Sequence, residues 1–307
     1  MPSKGISIVY MGSPLFAVPP LEALVENGFD VRAVVTVADK PSGRGRKLQS
    51  SAVKLKAEQL GLPVLQPTSL KDVDFLEELK ALNADLFVVV AFRMLPQVVW
   101  SMPRLGTFNL HGSLLPELRG AAPIHWAIIN GMAETGLTTF LLDEQIDTGS
   151  ILLQESITID PSWTTGDLHD ALMPLGATLV IKTAEGLENE MITSVPQNNT
   201  LASHAPKLTK ENTALDFTKN PRELVNQIKG LSPFPGAHFN GYKFMNAAPT
   251  LELEKGTSTP KLTALGKKLL LNYANGSVEI LEIKPDGKRS MRAIDFINGM
   301  KTPDIQL

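Results

Sequence analysis

Two short stretches of this chain place chemically capable side chains at close spacing. In residues 105–125, LGTFNLHGSLLPELRGAAPIH, a strand-like run delivers Asn109 and His111 two residues apart. On a strand, residues i and i+2 point to one face, so an amide and an imidazole project side by side. Asn109 can donate to a developing oxyanion, and His111 can donate or exchange a proton near neutral pH. The same pair could instead merely cap a strand end. Gly112 gives the turn freedom and Pro116 stiffens the loop. The second stretch is 143–149, DEQIDTG, in which Asp147 before Thr148 and Gly149 reads as a turn. Beside His111, its carboxylate would orient the imidazole and offset its charge. A simple Asx turn is the other reading, and spacing alone does not bring the two stretches together.

A third stretch, DKPSGRGRKL at 39–48, sets Arg44 between two glycines with Arg46 and Lys47 following. It lacks the Gly-Lys-Ser/Thr of a nucleotide P-loop. GSPLFA, after the first strand, does not match the dinucleotide fingerprint GxGxxG. The loop is either an arm that grips RNA phosphates or a solvated charged surface. His125, His169, His204 and His238 are scattered, with no HExxH or comparable pair, so no metal site is expected.

The elements that must position these groups alternate. Strand-like runs at 6–11, 31–37, 63–65, 85–91 and 106–110 enclose helical patterns at 17–27, 52–60 and 72–82, with a long helix over 165–186. This order implies an α/β fold: a Rossmann-like, mostly parallel sheet with helices on both faces and ligands beyond the strands' carboxyl ends. Residues 190–206, polar with two prolines, read as a linker. A helix near 221–230 and short apolar runs at 238–246, 250–254, 269–273 and 277–283 follow. Turns such as Asn240-Gly241 and Asn275-Gly276 separate several of the runs, suggesting a small β-barrel or sandwich. The organisation expected is therefore a front domain over 1–189 that carries the candidate groups, a linker over 190–206 and a small C-terminal β domain over 207–307.

The chain has 307 residues, 43 % hydrophobic and 20 % charged, an ordinary globular mix that fits about two domains. Cysteine is absent, which excludes disulfides and thiolate catalysis. No apolar run approaches ~18 residues, and the amino terminus lacks the pattern of a signal peptide. A cytoplasmic protein without a membrane span is expected. The net charge of −3 hides an asymmetry: residues 1–204 carry −8 and residues 205–307 carry +5. A basic tail on an acidic front half fits an appendage for a polyanion, although an excess of this size also arises by chance.

Taken together, NLHGSLLP at 109–116, RGAAPI at 119–124 and DTG at 147–149 resemble the folate-dependent formyltransferase family. MGSPLFAVP at 11–19, KPSGRGRKL at 40–48, GLPVLQP at 61–67, ETG at 134–136 and KPDGKRSM at 284–291 extend the resemblance over nearly the full chain. Leu15, Phe92-Arg93 and Glu117-Leu118 depart from the family pattern. The resemblance implies a reaction in which the formyl group of 10-formyltetrahydrofolate passes to the α-amino group of methionyl initiator tRNA. Asn109 and His111 would donate to the formyl oxygen, and Asp147 would be the partner carboxylate. Ser113, Leu114, Leu115 and Pro116 would contact the folate, with the backbone near 90–95 lining its pterin. Arg44, Arg46 and Lys47 would reach the tRNA acceptor end, and the basic tail, an oligonucleotide-binding-type barrel over 207–307, would hold the acceptor arm. No metal is required, and a monomer is expected. A sugar-nucleotide N-formyltransferase, a formyltetrahydrofolate hydrolase and a non-catalytic tRNA-binding module are the rival readings.

Overall fold

The structure, a computed structural model, describes residues 5–42, 47–251, 257 and 259–307. Its first sheet contains β1 (Ser7–Gly12), β2 (Asp30–Val35), β3 (Val64–Leu65), β4 (Leu86–Val90), β5 (Thr107–His111), β6 (Glu134–Leu141) and β7 (Ile151–Thr158), in the order β7-β6-β5-β4-β1-β2-β3. The pairs from β5 across to β3 are parallel, and β6 runs antiparallel to β5. Every residue of β1 and β4 is buried, as parallel strands covered on both faces require. Helices α1 (Val18–Glu26), α2 (Ala52–Gln59) and α3 (Val73–Ala81) supply crossovers. Ser51 and Asp72 cap α2 and α3 by accepting from Lys54 N and Phe75 N. The expected β-α-β order and fold class are those observed.

One face of this sheet packs Val9, Met11, Phe87 and Val89 against Phe75 and Leu79 of α3. On the other, Leu110 approaches Gly176 of the long helix Thr165–Glu188, and Thr183 of that helix hydrogen-bonds Thr139 at 2.8 Å. The alternation along β5 therefore sends Phe108 and Leu110 one way and Asn109 and His111 the other.

The second sheet contains β8 (Ala237–Phe239), β9 (Tyr242–Pro249), β10 (Lys261–Leu265), β11 (Lys268–Tyr273), β12 (Gly276–Pro285) and β13 (Asp304–Gln306). Their order is β8-β9-β12-β11-β10-β13, with Met291–Arg292 against β12, and the pairs are antiparallel. Its core packs Phe244, Leu269, Leu271 and Ile280 against Leu224 and Ile228 of the helix Pro221–Gly230. Asn220 and Glu223 close that helix with a reciprocal capping box. The strand expected over 250–254 falls mostly outside the described residues. Two strands the sequence pattern did not single out, β10 and β13, pair through Leu262 and Ile305.

The chain forms two compact units: Met1–Gly120 with Gly136–Ile157 and Asp170–His204, and Ala121–Thr135 with Thr158–His169 and Ala205–Leu307. The polar stretch before His204 thus packs with the first unit. Ile151 and Val195 pair there through both backbone hydrogen bonds. Among the described residues no helix is long and apolar enough to cross a membrane.

Candidate active site

His111 ends β5 and is 5 % exposed. Its Nε2 lies 3.0 Å from Leu118 O. A carbonyl oxygen only accepts, so Nε2 carries the proton and Nδ1 is left for other work. Nδ1 faces Asp147 Oδ2 at 3.8 Å, an ion-pair distance rather than a hydrogen bond. Oδ2 itself accepts from Gly120 N at 2.8 Å. The other oxygen of Asp147 has no hydrogen-bond partner among the described residues. Nor does the half-buried side-chain amide of Asn109, whose backbone is in register with Val89 on one side and Phe140 on the other. The Phe140 ring stands edge-on to the imidazole, with centroids 6.4 Å apart.

The approach of Asp147 to His111 is indirect. Because β6 is antiparallel to β5, the chain leaves it at the start of β5, where Leu142 N bonds Thr107 O. Residues 143–149 then climb back along β5 until Asp147 reaches His111 at its far end. Two backbone features permit this course. Asp147 adopts φ of +56°, a left-handed conformation that Asp tolerates better than most residues. Gly149 lies so close to Leu141 that a Cβ would stand 1.6 Å from its carbonyl oxygen. The DTG sequence is thus a requirement of backbone path as well as of chemistry.

The loop after His111 is held rigidly. Thr138 Oγ1 donates to Ser113 O at 2.7 Å and accepts from Leu115 N at 3.0 Å. Gln154 Nε2 donates to Leu115 O and to Thr138 Oγ1, both at 2.9 Å. Ser113 Oγ closes the turn onto Glu117 O at 2.6 Å. Ser113 and Leu115 are buried, and Leu114 packs against Gly136 of the ETG sequence, where a Cβ would meet Leu114 at 2.6 Å and Glu155 O at 2.1 Å. The four residues Ser113, Leu114, Leu115 and Pro116 therefore form a fixed ledge directly after His111.

Beside Asp147 a polar cavity of about 440 Å³ is lined by Asp143, Glu144, Gln145, Thr148, Gln197 and Asn199, among others. At the end of β4, Phe92, Leu95 and Leu142 join an apolar wall with Val99. Arg93 crosses there to the carbonyls of Pro67 and Thr68, with its guanidinium stacked 5.5 Å from the Phe92 ring centre. Burial lowers its pKa from the ordinary arginine value. Of the basic loop, Arg44 and Arg46 lie outside the described residues. Lys47 begins the second strand of a hairpin, Lys40–Ser42 with Lys47–Gln49. The hairpin's root is fixed: Asp39 takes Lys54 Nζ at 2.6 Å and Gln66 Nε2 at 2.9 Å, and these bonds hold its carboxyl below the usual range. Among the described residues no group of three or more His, Cys, Asp or Glu is placed to hold a metal ion.

Sequence reasoning named His111 and Asp147 but not their holders. Leu118 O, Gly120 N, Thr138 and Gln154 act through backbone groups or from strands distant in sequence, and no local pattern marks them. Gln197, whose Nε2 donates to Asp147 O at 2.9 Å and Gly149 O at 2.8 Å, sits in the polar stretch that reads as a linker.

An unpaired amide donor, an imidazole and an open carboxylate on a Rossmann-like sheet are groups suited to group transfer at a carbonyl carbon. The chain belongs to the formyl transferase family. A family model described as "Formyl transferase" matches residues 5–183, and one described as "Formyl transferase, C-terminal domain" matches residues 207–301. A protein of Flavobacterium johnsoniae named methionyl-tRNA formyltransferase is 47 % identical over 97 % of this chain and 98 % of its own length. A protein of the same name from Flavobacterium psychrophilum is 44 % identical over 97 % of each. Among solved structures, an N-formyltransferase from Helicobacter canadensis, crystallised with folinic acid and dTDP-3-aminofucose, superposes with a TM-score of 0.69 at 23 % identity, covering 90 % of this chain and 98 % of its own. That likeness is one of fold.

Proposed function

We propose that this enzyme transfers the formyl group of 10-formyltetrahydrofolate to the α-amino group of methionine esterified to initiator tRNA, giving formylmethionyl-tRNA for translation initiation. The observation that carries the reading is the near full-length identity of 47 % to a methionyl-tRNA formyltransferase. In this reading residues 1–189 carry the reaction, 190–206 link the domains, and 207–307 form an oligonucleotide-binding-type barrel that holds the tRNA. The positive excess of residues 205–307 supports that last assignment through phosphate contacts. The substrates are those of translation, which supports a cytoplasmic enzyme, and we take it to act as a monomer.

The donor supplies an electrophilic formyl carbon, and it requires an apolar slot with a hydrogen-bonding edge. Phe92, backed by the buried Leu95 and Val99, and the ledge Ser113, Leu114, Leu115 and Pro116 fit that demand. Asn109 donates its unpaired amide to the formyl oxygen as negative charge gathers there. His111 can donate only from Nδ1, because Nε2–H is committed to Leu118 O. The Asp147 carboxylate faces that nitrogen at 3.8 Å and orients the ring. The open oxygen of Asp147 receives a proton from the attacking amine and returns it to the folate nitrogen, which leaves as its bond to the formyl carbon breaks. The nucleophile must be a neutral amine, so turnover falls at acid pH. Arg44, Arg46 and Lys47 steer the acceptor end.

The test is a formyl-transfer assay with 10-formyltetrahydrofolate and methionyl initiator tRNA, with amino-sugar nucleotides and water as parallel acceptors. Formylmethionyl-tRNA is the dominant product expected. Transfer to sugar, or bare hydrolysis, overturns the acceptor while keeping the trio. Arg44→Ala is expected to impair use of full-length tRNA and leave folate binding unchanged.

A further inference from the structure

We propose that Gln197 is a positioning residue of the reaction, its side-chain amide holding the strained turn that aims Asp147 at His111. The proposal rests on the reading that Asp147 belongs to the reacting centre. Gln197 lies between the two family matches, which end at residue 183 and resume at 207.

Its amide is fully used. Nε2 donates to Asp147 O at 2.9 Å and to Gly149 O at 2.8 Å. Oε1 accepts from Arg119 Nε at 3.0 Å and Nη2 at 2.6 Å. The orientation of this amide is fixed by chemistry: a guanidinium only donates and a backbone carbonyl only accepts, so a flipped amide would fail on both sides. Arg119 Nη2 also donates to Asn199 Oδ1 at 2.8 Å, which ties the bridge back to the same strap of chain.

The two carbonyls that Gln197 holds bracket the turn. Asp147 sits at φ of +56°, a strained conformation that a non-glycine residue keeps where its surroundings impose it. Released, the backbone relaxes toward negative φ and turns the carboxylate away from His111 and from Gly120 N. The far end of the bridge reaches the other half of the pair. Arg119 lies between Leu118, whose oxygen takes the His111 Nε2 proton, and Gly120, whose N–H holds Asp147 Oδ2. Ser203 fixes the same segment, accepting from Leu118 N through Oγ and from Arg119 N through its carbonyl oxygen, both at 2.9 Å. Residues 197–203 thus hold the backbone behind both His111 and Asp147 at once. A misplacement of about 1 Å at such a centre costs up to ~100-fold in rate.

Two substitutions separate this role from simple packing. Gln197→Ala removes the whole bridge. Gln197→Glu keeps an acceptor for Arg119 but has no N–H for the carbonyls of Asp147 and Gly149. Both variants are expected to lose about 10- to 100-fold in kcat, with KM for each substrate within about twofold of wild type. In an Asp147→Asn background, followed by single turnover, Gln197→Glu should change the rate by less than about twofold, because nothing is left to aim. Wild-type turnover by Gln197→Glu overturns the proposal, since Gln197 would then only anchor Arg119. A full effect persisting on Asp147→Asn, or a raised KM at unchanged kcat, overturns it as well. If Gln197→Ala does not fold, the isosteric Gln197→Glu carries the test alone. Wild-type enzyme that ignores methionyl-tRNA overturns the acceptor reading instead, and the Gln197 comparison is then made on the amine it does formylate.

Discussion

Two aspartates of the first sheet have nearly the same exposure and opposite fates. Asp85, just before β4, and Asp147, in the loop after β6, have side chains 22 % and 15 % exposed. Asp85 is saturated. Its Oδ2 accepts from Ser7 N at 2.9 Å and Ser7 Oγ at 2.8 Å, and its Oδ1 from Arg104 Nε at 2.6 Å. Asp147 accepts one backbone N–H on Oδ2 and keeps Oδ1 open. Asp85 joins the starts of β1 and β4, whereas Asp147 is held in a strained turn against an imidazole it does not hydrogen-bond. In the proposed reaction the difference separates a structural carboxylate from a working one by valence left over rather than by burial.

The strongest way to break this comparison is Asp147→Asn. It preserves shape and the Gly120 contact through the amide oxygen, but removes the base and the charge facing His111. Turnover is expected to fall about 10²- to 10⁴-fold, with tRNA affinity and melting temperature close to wild type. Steady-state kinetics beside a tRNA-binding titration reads both; near-normal kcat would reduce Asp147 to an Asx turn. Asn109→Ala comes next, with a loss of about 10²- to 10³-fold in kcat from one missing donor to the formyl oxygen. A rise in KM alone would make Asn109 a binding group.

The contrast also marks what could be read in advance. The strand bearing Asn109 and His111 was legible because alternation fixes which side chains share a face. The parallel sheet was legible because its buried strands are continuous apolar runs. The meeting of Asp147 with His111 was suggested by resemblance, not by spacing, since it depends on a loop retracing an antiparallel strand. The holders were illegible for a different reason. Leu118 and Gly120 contribute backbone atoms, which sequence does not distinguish. Thr138 and Gln154 look like ordinary polar residues of two strands that periodicity did not single out. Gln197 looked like linker because its stretch is polar and proline-containing, yet that polarity serves carbonyls of a distant turn. The site lives in long-range backbone hydrogen bonds, the class of contact that local pattern carries least.

Asp85→Asn sharpens the comparison from the structural side. It removes the anion that Ser7 N–H, Ser7 Oγ and Arg104 surround, and leaves one buried donor poorly matched. A loss of about 1–3 kcal/mol of stability is expected, with kcat per folded molecule unchanged. Denaturant unfolding and active-site-normalised kinetics measure the two. A fall in kcat without a fall in stability would mean that Asp85 is coupled to the reaction.

The smallest effect expected is that of Ser7→Ala. The backbone N–H of Ser7, the main cause of the lowered Asp85 pKa, survives this change, and only the hydroxyl is lost. Arg104 adds little in compensation because its side chain is 64 % exposed and its ion pair is screened. The expected cost is about 0.5–1.5 kcal/mol. Its pH dependence gives a sharper reading than its size. The Asp85 carboxyl lies below its unfolded value of about 3.9, so its contribution is fully present above that pH and is lost as pH falls through the folded value. With one bond fewer, the folded value in Ser7→Ala lies closer to the unfolded one. The stability gap between wild type and variant should therefore be constant from neutrality down to about pH 4 and narrow below it, leaving the share of the bond that Ser7 Oγ accepts from Asp85 N at 3.2 Å. Unfolding midpoints measured across that range decide the matter: a gap that does not narrow at the acid end would mean that the Ser7 hydroxyl contributes through that backbone bond and packing and not through the Asp85 anion.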